Sequence, residues 1–347
     1  MNTVKVGLIG YGFSGRTFHA PLLKDLDEFD ITKVLSSKPE LVKQDIGKAE
    51  VVSGINEIVE DPEIELVVIT TPNTFHYEMA KQSILHRKHV VIEKPMVIEQ
   101  EEAKELIELA KKQQVMLSVY HNRRWDNDFL TIKQVIENGE LGKVMSYKAH
   151  FDRFRPHVRK RWREQKGRGS GMLYDLGSHL IDQALHLFGS PNFVMADVLA
   201  QRDEGETDDY FHIILGYERL RVMLHSSSFV KSAGPKFEVH GTKGSFIKYG
   251  SDSQEAALKK GELPSDKKEW GVDKPEHYGR LIQEKAGEDV ERIVETVPGY
   301  YPAYYKQVYQ HIRNNQPVPV SAEDGLRTIE LIEAAFRSSQ EKRAVYL

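Results

Sequence analysis

Two grammars in one chain predict its fold class: an α/β domain built on a doubly wound parallel sheet, followed by an α+β domain. Up to about Tyr120 short apolar strands alternate with helical stretches through short connections. Beyond it strand-like segments follow one another without helices between them. The 347 residues are enough for two such domains, which the reading divides as 1–120 and 121–347.

The elements follow in order. Val4 to Ile9 is an apolar strand, and Ile31 to Leu35, Leu66 to Thr70, His89 to Ile92 and Val115 to Tyr120 read as the later strands of the first domain. Thr74 to Leu85 and Glu101 to Lys112 read as helices; Ala103, Leu106, Ile107 and Ala110 fall at helical spacing, and Thr74 or Asn73 is the expected cap of the first. In the second domain a helix near Phe129 to Asn138 ends at Gly139. Strands are then expected at Val144 to Phe151, Asn192 to Leu199, Tyr210 to Leu215, Leu220 to Ser226 and Phe237 to His240. Residues 250–295 are polar and weakly periodic and read as surface excursions around short strands. Ser321-Ala322-Glu323-Asp324 is a capping box opening a last helix to about Arg337.

Composition narrows the function. A net charge of −4 and a pI near 6.4 give no global attraction to nucleic acid or anionic membrane. The absence of cysteine removes disulfides, thiolate metal sites and thiol catalysis, and fits a reducing compartment. A first strand entered by Val4, with no apolar run near membrane-spanning length, leads to the expectation of a cytoplasmic protein. No metal spacing is present among the scattered histidines, so no metal is expected.

The motif that carries most information follows the first strand: Gly10-Tyr11-Gly12-Phe13-Ser14-Gly15. In a strand–turn–helix context G-x-G-x-x-G is the dinucleotide-binding fingerprint of a Rossmann domain. Gly10 permits the tight turn, Gly12 lets backbone approach a pyrophosphate, and Gly15 lets the helix pack closely on the strand. After the second strand, where an NAD enzyme usually carries an acidic residue, stand Ser36, Ser37 and Lys38; two hydroxyls and a cation suit the 2′-phosphate of NADP(H). Glu93-Lys94-Pro95 follows the strand His89 to Ile92, which puts Lys94 at a strand's carboxyl end. Further on, Asp175 and His179 are four apart, one helical face apart, and a carboxylate beside an imidazole suits a general acid/base near neutral pH. His186 continues that face and reads as structural. The segment from Arg153 to Arg168 is rich in arginine and lysine and reads as a loop rimming an anionic cofactor rather than a nucleic-acid surface. In Gly299 to Tyr305 the tyrosines read mainly as core or interface, with Tyr301 and Tyr305 as substrate candidates and Tyr309 as core.

Taken together, Gly10–Leu23, Glu93-Lys94-Pro95, Tyr120–Asp126, Arg161-Trp162-Arg163-Glu164 and Tyr174–His179 make the whole chain resemble the glucose–fructose oxidoreductase / inositol dehydrogenase / rhizopine catabolism (Gfo/Idh/MocA) family, nearest its NADP-dependent scyllo-inositol dehydrogenase branch. The resemblance implies a second domain with a large, mostly antiparallel open sheet that binds substrate. Tyr210 to Leu215 and Leu220 to Ser226 carry apolar and small residues on both faces, so that sheet is expected to hide one face in a homo-oligomer, dimer or tetramer. It implies a catalytic set of Lys94, Asp175 and His179. Cofactor contacts are implied for Gly10, Gly12, Phe13, Ser14, Gly15, Ser36, Ser37, Lys38, Thr71, Pro72, Asn73, His76, Glu93, Lys94, Asn122 and Arg163. Substrate contacts are implied for Lys94, Arg123, Asp152, Trp162, Asp175, His179 and Tyr301, with a cyclic polyol or sugar as the only partner besides NADP(H) and other copies of the chain. A cis peptide is implied before Pro95. Rival readings keep the fold and change the chemistry: a nucleotide-binding sensor, or a dehydrogenase of a non-sugar substrate. A sensor has no need of a proton relay, and Lys94, Asp175 and His179 all remain.

Overall fold

The computed structural model describes residues 3–347. Its chain forms two compact units. The first comprises residues 1–122 with 254–270 and 300–326, and the second comprises 123–253, 271–299 and 327–347. The first stretch of the first unit ends at Asn122, and two later segments return to it.

In the first unit six strands make one parallel sheet: β1 (Val4–Ile9), β2 (Phe29–Leu35), β3 (Glu50–Val52), β4 (Leu66–Ile69), β5 (His89–Ile92) and β6 (Leu117–Val119), in the order β3-β2-β1-β4-β5-β6. β1 is paired in parallel with both β2 and β4. The near-continuous Val/Ile/Leu runs of β1, β4 and β5 reflect burial on both faces, as a parallel sheet requires; Leu66, Val67, Val68 and Ile69 are all fully buried. The strand order reverses direction between β1 and β4. Ligands of such sheets bind at that switch point, outside the carboxyl ends of the strands.

Two local expectations for this unit change. The helix expected from Thr74 begins instead with a 3₁₀ turn, Asn73–Phe75, and runs His76–Leu85 with Phe75 as N-cap and no side-chain cap. The helix Gln100–Gln113 does carry a cap, a Glu99/Glu102 capping box. Ser321 and Asp324 cap each other as expected: the Asp324 N–H donates to Ser321 Oγ at 3.1 Å and the Ser321 N–H to Asp324 at 3.3 Å. The helix they open runs Ala322–Glu341.

The second unit holds a nine-stranded sheet made of β7 (Val144–His150), β8 (Phe193–Leu199), β9 (Tyr210–Gly216), β10 (Arg221–Ser227), β11 (Phe237–Gly241), β12 (Gly244–Lys248), β13 (Gly279–Lys285), β14 (Glu288–Val294) and β15 (Val345–Tyr346). Their order is β14-β13-β12-β11-β7-β10-β9-β8-β15, and only β7 and β10 pair in parallel. Alternation places Phe211, Ile213, Leu215, Val222 and Leu224 on the core face, packed with Leu180, Ile181 and Ala184 of the helix Ser178–Phe188 and with Leu331, Ile332 and Ala335. Their neighbours His212, Ile214, Met223 and His225 are only half-buried on the other face. The weakly periodic region 250–295 proves more ordered than expected. It contains the helix Gln254–Lys259 and the full β13–β14 hairpin, paired over seven residues. Among the described residues no helix is long and apolar enough to cross a membrane.

The glycine turn shows why these residues are glycines. Gly10 sits at φ +95°, where side-chain residues are strained. A Cβ on Gly15 would lie 2.5 Å from the Gly10 carbonyl oxygen and 2.6 Å from Thr70 Oγ1, whereas one on Gly12 would meet nothing within 4 Å. Gly15→Ala is expected to destabilise the protein by about 1–3 kcal/mol through overpacking, and Gly12→Ala to leave stability within about 0.5 kcal/mol. Urea unfolding of both variants checks the contrast.

Candidate active site

Five strand ends in the first unit carry the residues expected to hold a dinucleotide. After β1 comes the glycine turn, fixed by Thr70, whose hydroxyl donates to the Gly10 carbonyl at 2.8 Å. The helical segment 13–24 that follows contains a π turn, Gly15–His19, closed by the Ala20 N–H on the Gly15 carbonyl. After β2, Ser36 and the exposed Ser37 and Lys38 form a turn in which Ser36 Oγ accepts from the Lys38 N–H at 3.0 Å. After β4, Thr71-Pro72-Asn73 leads to buried His76. That ring lies between two loops, with Nε2 3.0 Å from the Thr71 carbonyl and Nδ1 2.9 Å from that of Pro95. Burial holds the His76 pKa below its ordinary value, while the surrounding carbonyls oppose this. After β6, Asn122 opens a 3₁₀ turn and is 8% exposed. The open space over Gly12 and the strained turn at Gly10 fit the backbone cradle of a pyrophosphate, with Phe13 beside it 60% exposed and packed edge-on against Phe18 at 5.6 Å.

The turn after β5 is the most constrained. Lys94–Pro95 is the expected cis peptide, and Lys94 itself is half-buried. Beneath it Glu93 is a buried carboxylate with three donors: Ser14 Oγ, His19 Nε2 at 3.0 Å and the Lys94 N–H at 2.9 Å. His19 Nδ1 lies 2.6 Å from the Tyr305 hydroxyl. Burial alone would raise the Glu93 pKa, yet the hydrogen bond and charge of His19, with Lys94 and Ser14, lower it to about 2. Tyr301, Tyr304 and Tyr305 are fully buried in this unit, and Tyr304 meets Ser118 Oγ at 2.8 Å. The core reading of the tyrosines therefore extends to the two proposed as substrate contacts: Tyr301 and Tyr305 present no surface here. His19 was not anticipated as part of this network, because its partner lies 74 residues away and nothing local marks it.

The second unit gathers the other expected residues in two groups. Phe151, at the end of β7, is touched by three of its neighbours. The Arg123 guanidinium lies 4.9 Å above its ring, Lys236 4.7 Å above it, and His179 meets it edge-on at 6.4 Å. Arg123 also pairs with Asp126 at 3.2 Å, and His179 is buried at the start of its helix. Trp162 and Arg163 form the second group with Asp175. Arg163 stacks 4.5 Å over the Trp162 ring and ion-pairs with Asp175 at 3.3 Å, and Arg161 approaches the same carboxylate at 3.9 Å. Asp175 lies not on a regular α-helix but in a second π turn, Leu173–Gly177, which passes into the helix bearing His179. Asp152 stands apart from both groups. His150 Nδ1 at 3.1 Å and His225 Nδ1 at 2.9 Å hold its carboxylate well below the ordinary range against the penalty of burial. His186 is exposed and lies 3.1 Å from Lys133 Nζ, a surface role.

Two acids that sequence reasoning passed over support these groups. Glu164, expected only as part of a motif, is a buried hub for Arg159 and Arg161 at 2.9 and 2.6 Å and for Arg202 at 2.8 Å. Asp208 accepts from the Leu173 N–H at 2.7 Å and so fixes the entry to the π turn; burial pushes its pKa up to about 6.

Family models match almost the whole chain in two pieces. Residues 4–121 match the NAD-binding Rossmann fold of the Gfo/Idh/MocA oxidoreductases, and residues 133–347 match their C-terminal alpha/beta domain. The chain belongs to the Gfo/Idh/MocA oxidoreductase family. Scyllo-inositol 2-dehydrogenase (NADP(+)) IolW of Bacillus subtilis (strain 168) is 49% identical over 347 residues, covering 100% of this chain and 97% of that one. The oxidoreductase YdgJ of Escherichia coli (strain K12) is 43% identical over all of this chain and 99% of its own. A solved structure of the oxidoreductase yvaA from Bacillus subtilis superposes with a TM-score of 0.97 at 49% identity, over 100% of this chain and 99% of that one. This member of the family is thus an oxidoreductase with the family's nucleotide-binding fold.

Because Glu93 titrates near 2 in the folded protein and near 4.5 unfolded, its contribution is present above about pH 4.5 and is lost as pH falls through the folded value. Glu93→Gln should therefore cost stability at pH 6, and the gap to wild type should narrow by about 2 kcal/mol by pH 3. Parallel unfolding titrations of the two proteins read this directly.

Proposed function

We propose that this oxidoreductase is an NADP(H)-dependent dehydrogenase of a cyclic polyol, with scyllo-inositol and its keto form first among substrates. The likeness to scyllo-inositol 2-dehydrogenase over the full length of both chains carries this reading. The turn Ser36-Ser37-Lys38 supports NADP(H), since it offers hydroxyls and a cation where an acidic residue would repel a 2′-phosphate. Held at the glycine turn and the Ser36-Ser37-Lys38 turn, NADP(H) would supply the hydride acceptor or donor for a carbinol carbon. In this reading the chain's own residues do the rest. His179 takes the hydroxyl proton as general base and returns it in the reverse direction. Asp175, ion-paired with Arg163 and more distantly Arg161, orients the relay and favours its protonated form. Lys94, presented by a turn that the buried Glu93 holds rigid, stabilises the alkoxide. Trp162 covers a ring's C–H face, and Arg123 donates to hydroxyls. An apolar ligand would leave such donors unpaired, which disfavours the non-sugar rival. Other copies of the same chain, in a dimer or tetramer, are the macromolecular partners this reading takes, with no nucleic acid or membrane.

His179→Ala should lower kcat by about 10²–10⁴-fold and remove the near-neutral limb of the pH–rate profile. Lys94→Met should abolish turnover while NADPH titration remains normal. Wild-type kcat, or an unchanged profile, in either variant refutes the assigned role.

Steady-state rates with NADP and NAD, each against scyllo-inositol, myo-inositol, glucose and xylose, test the rest. NADP and scyllo-inositol should lead, and Ser36→Asp should cut kcat/KM for NADP about tenfold or more by placing a carboxylate against the phosphate. An aldose ahead of scyllo-inositol by tenfold would reject the inositol assignment and leave the broader dehydrogenase class.

A further inference from the structure

The second unit contains a cavity walled by arginine. Arg153, Arg155, Arg159, Arg161, Arg163 and Arg202 line about 320 Å³ of empty space, part of it open to solvent. So many guanidinium groups in one place repel one another unless carboxylates or a ligand offset them. Three carboxylates share the lining: Glu164, Asp175 and Asp208. Glu164 is already committed to Arg159, Arg161 and Arg202, and Asp209 takes Arg202 from outside the cavity at 2.6 Å. Asp175 is committed to Arg163 and, more distantly, Arg161. Asp208 receives the Leu173 backbone N–H. Even with Asp209 counted, four carboxylates meet six guanidinium groups.

The excess is localised. Among the described residues Arg153 and Arg155 have no acidic side chain within ion-pair distance, although their backbones are tied down: the Arg153 N–H donates to the Ser227 carbonyl and the Arg155 N–H to that of Ser228. Arg153 is half-buried and Arg155 is exposed. Burial, then the charge of Arg155, pushes Arg153 down to about 10, and burial followed by Arg159 and Arg161 lowers Arg155. Ser228, 2% exposed, is part of the same wall.

We propose that this cavity is a binding site for a phosphate group, held by Arg153, Arg155 and Ser228. A phosphate dianion matches the two uncompensated positive charges. Its tetrahedral oxygens accept paired N–H bonds from guanidinium forks, which a ring of neutral hydroxyls does not need. The group is either an ester on the polyol substrate or free phosphate acting as an effector. Only the ester arm rests on the polyol reading above. The site's own chemistry does not.

Calorimetric titration of the full chain with sodium phosphate, against sodium chloride at constant ionic strength and without nucleotide, tests the site itself. Saturable binding of one phosphate per chain is expected. It should weaken at least about tenfold in the Arg153→Gln/Arg155→Gln double variant. Absence of saturable binding, or equal affinity in the variant, overturns the proposal. So does a matching loss of NADPH affinity, which would give the cavity to the nucleotide. Should the double variant fail to melt as a folded protein, Ser228→Ala serves, and unchanged phosphate affinity there overturns the site. Steady-state assays then separate the sources. A cyclic polyol monophosphate preferred at least about tenfold over the free polyol, with the preference lost in the double variant, places the phosphate on the substrate. A rate with free polyol that responds to inorganic phosphate makes it an effector. Phosphate that binds and alters neither rate overturns a functional role. Phosphate binding without turnover of any polyol defeats the dehydrogenase reading alone, and turnover without phosphate binding defeats this inference alone.

Discussion

A single buried carboxylate organises the first unit. Glu93 takes donors from Ser14 in the glycine turn, His19 in the π turn and the backbone of Lys94. Through His19 it reaches Tyr305, on a segment more than two hundred residues further along the chain. Removing a carboxylate from water is costly, and only a full set of well-placed donors offsets that cost. Once those donors are assembled, the turn that presents Lys94 has little freedom left. The position of Lys94 is thereby coupled to the position of the glycine turn, because both lean on the same two oxygens.

Both π turns of the described chain fall where chemistry is expected. Gly15–His19 aims His19 at Glu93, and Leu173–Gly177 carries Asp175 toward its arginines. A π turn has fewer well-matched backbone contacts than a regular helix and persists where its surroundings over-determine it. At the first, the close approach of Gly15 to the Gly10 carbonyl and Thr70 provides that constraint. At the second, Asp208 and the Arg163 carbonyl do, the latter accepting the Gly171 N–H at 2.9 Å.

The features that were legible in the sequence are those written locally. The glycine fingerprint, the apolar parallel strands, the strand-end placement of Lys94 and the Ser321/Asp324 capping box are all set by neighbours a few residues apart. The alternation of β9 and β10 was read as apolar on both faces. In the structure Phe211 and Leu224 are buried while His212 and His225, which interleave with them, are half-buried. What stayed hidden depends on long-range partners. Half of the strand residues of the β13–β14 hairpin are charged, with Arg280 paired to Glu291 at 2.7 Å across the strands, so its hydrophobic period is weak. His19, Glu164 and Asp208 look like ordinary polar residues until the fold brings their partners to them. Tyr301 was misjudged for the same reason: its backbone N–H donates to Gln254 Oε1 at 2.7 Å in the packing of the first unit, a contact no spacing foretells.

The discontinuous make-up of the first unit has a consequence for how the protein is born. Its six strands are complete once residue 119 has been translated, but residues 254–270 and 300–326 still belong to it. Tyr304 and Tyr305, which close over Tyr120 and His19, are translated only after residues 123–299. At about 5–20 residues per second, a ribosome holds the early sheet for roughly ten seconds or more with that aromatic patch uncovered. The nascent chain must therefore keep a half-built apolar surface from other chains while most of the second unit is being made. Chaperone engagement should concentrate in that interval, and a fragment ending after β6 should inherit the exposed patch permanently.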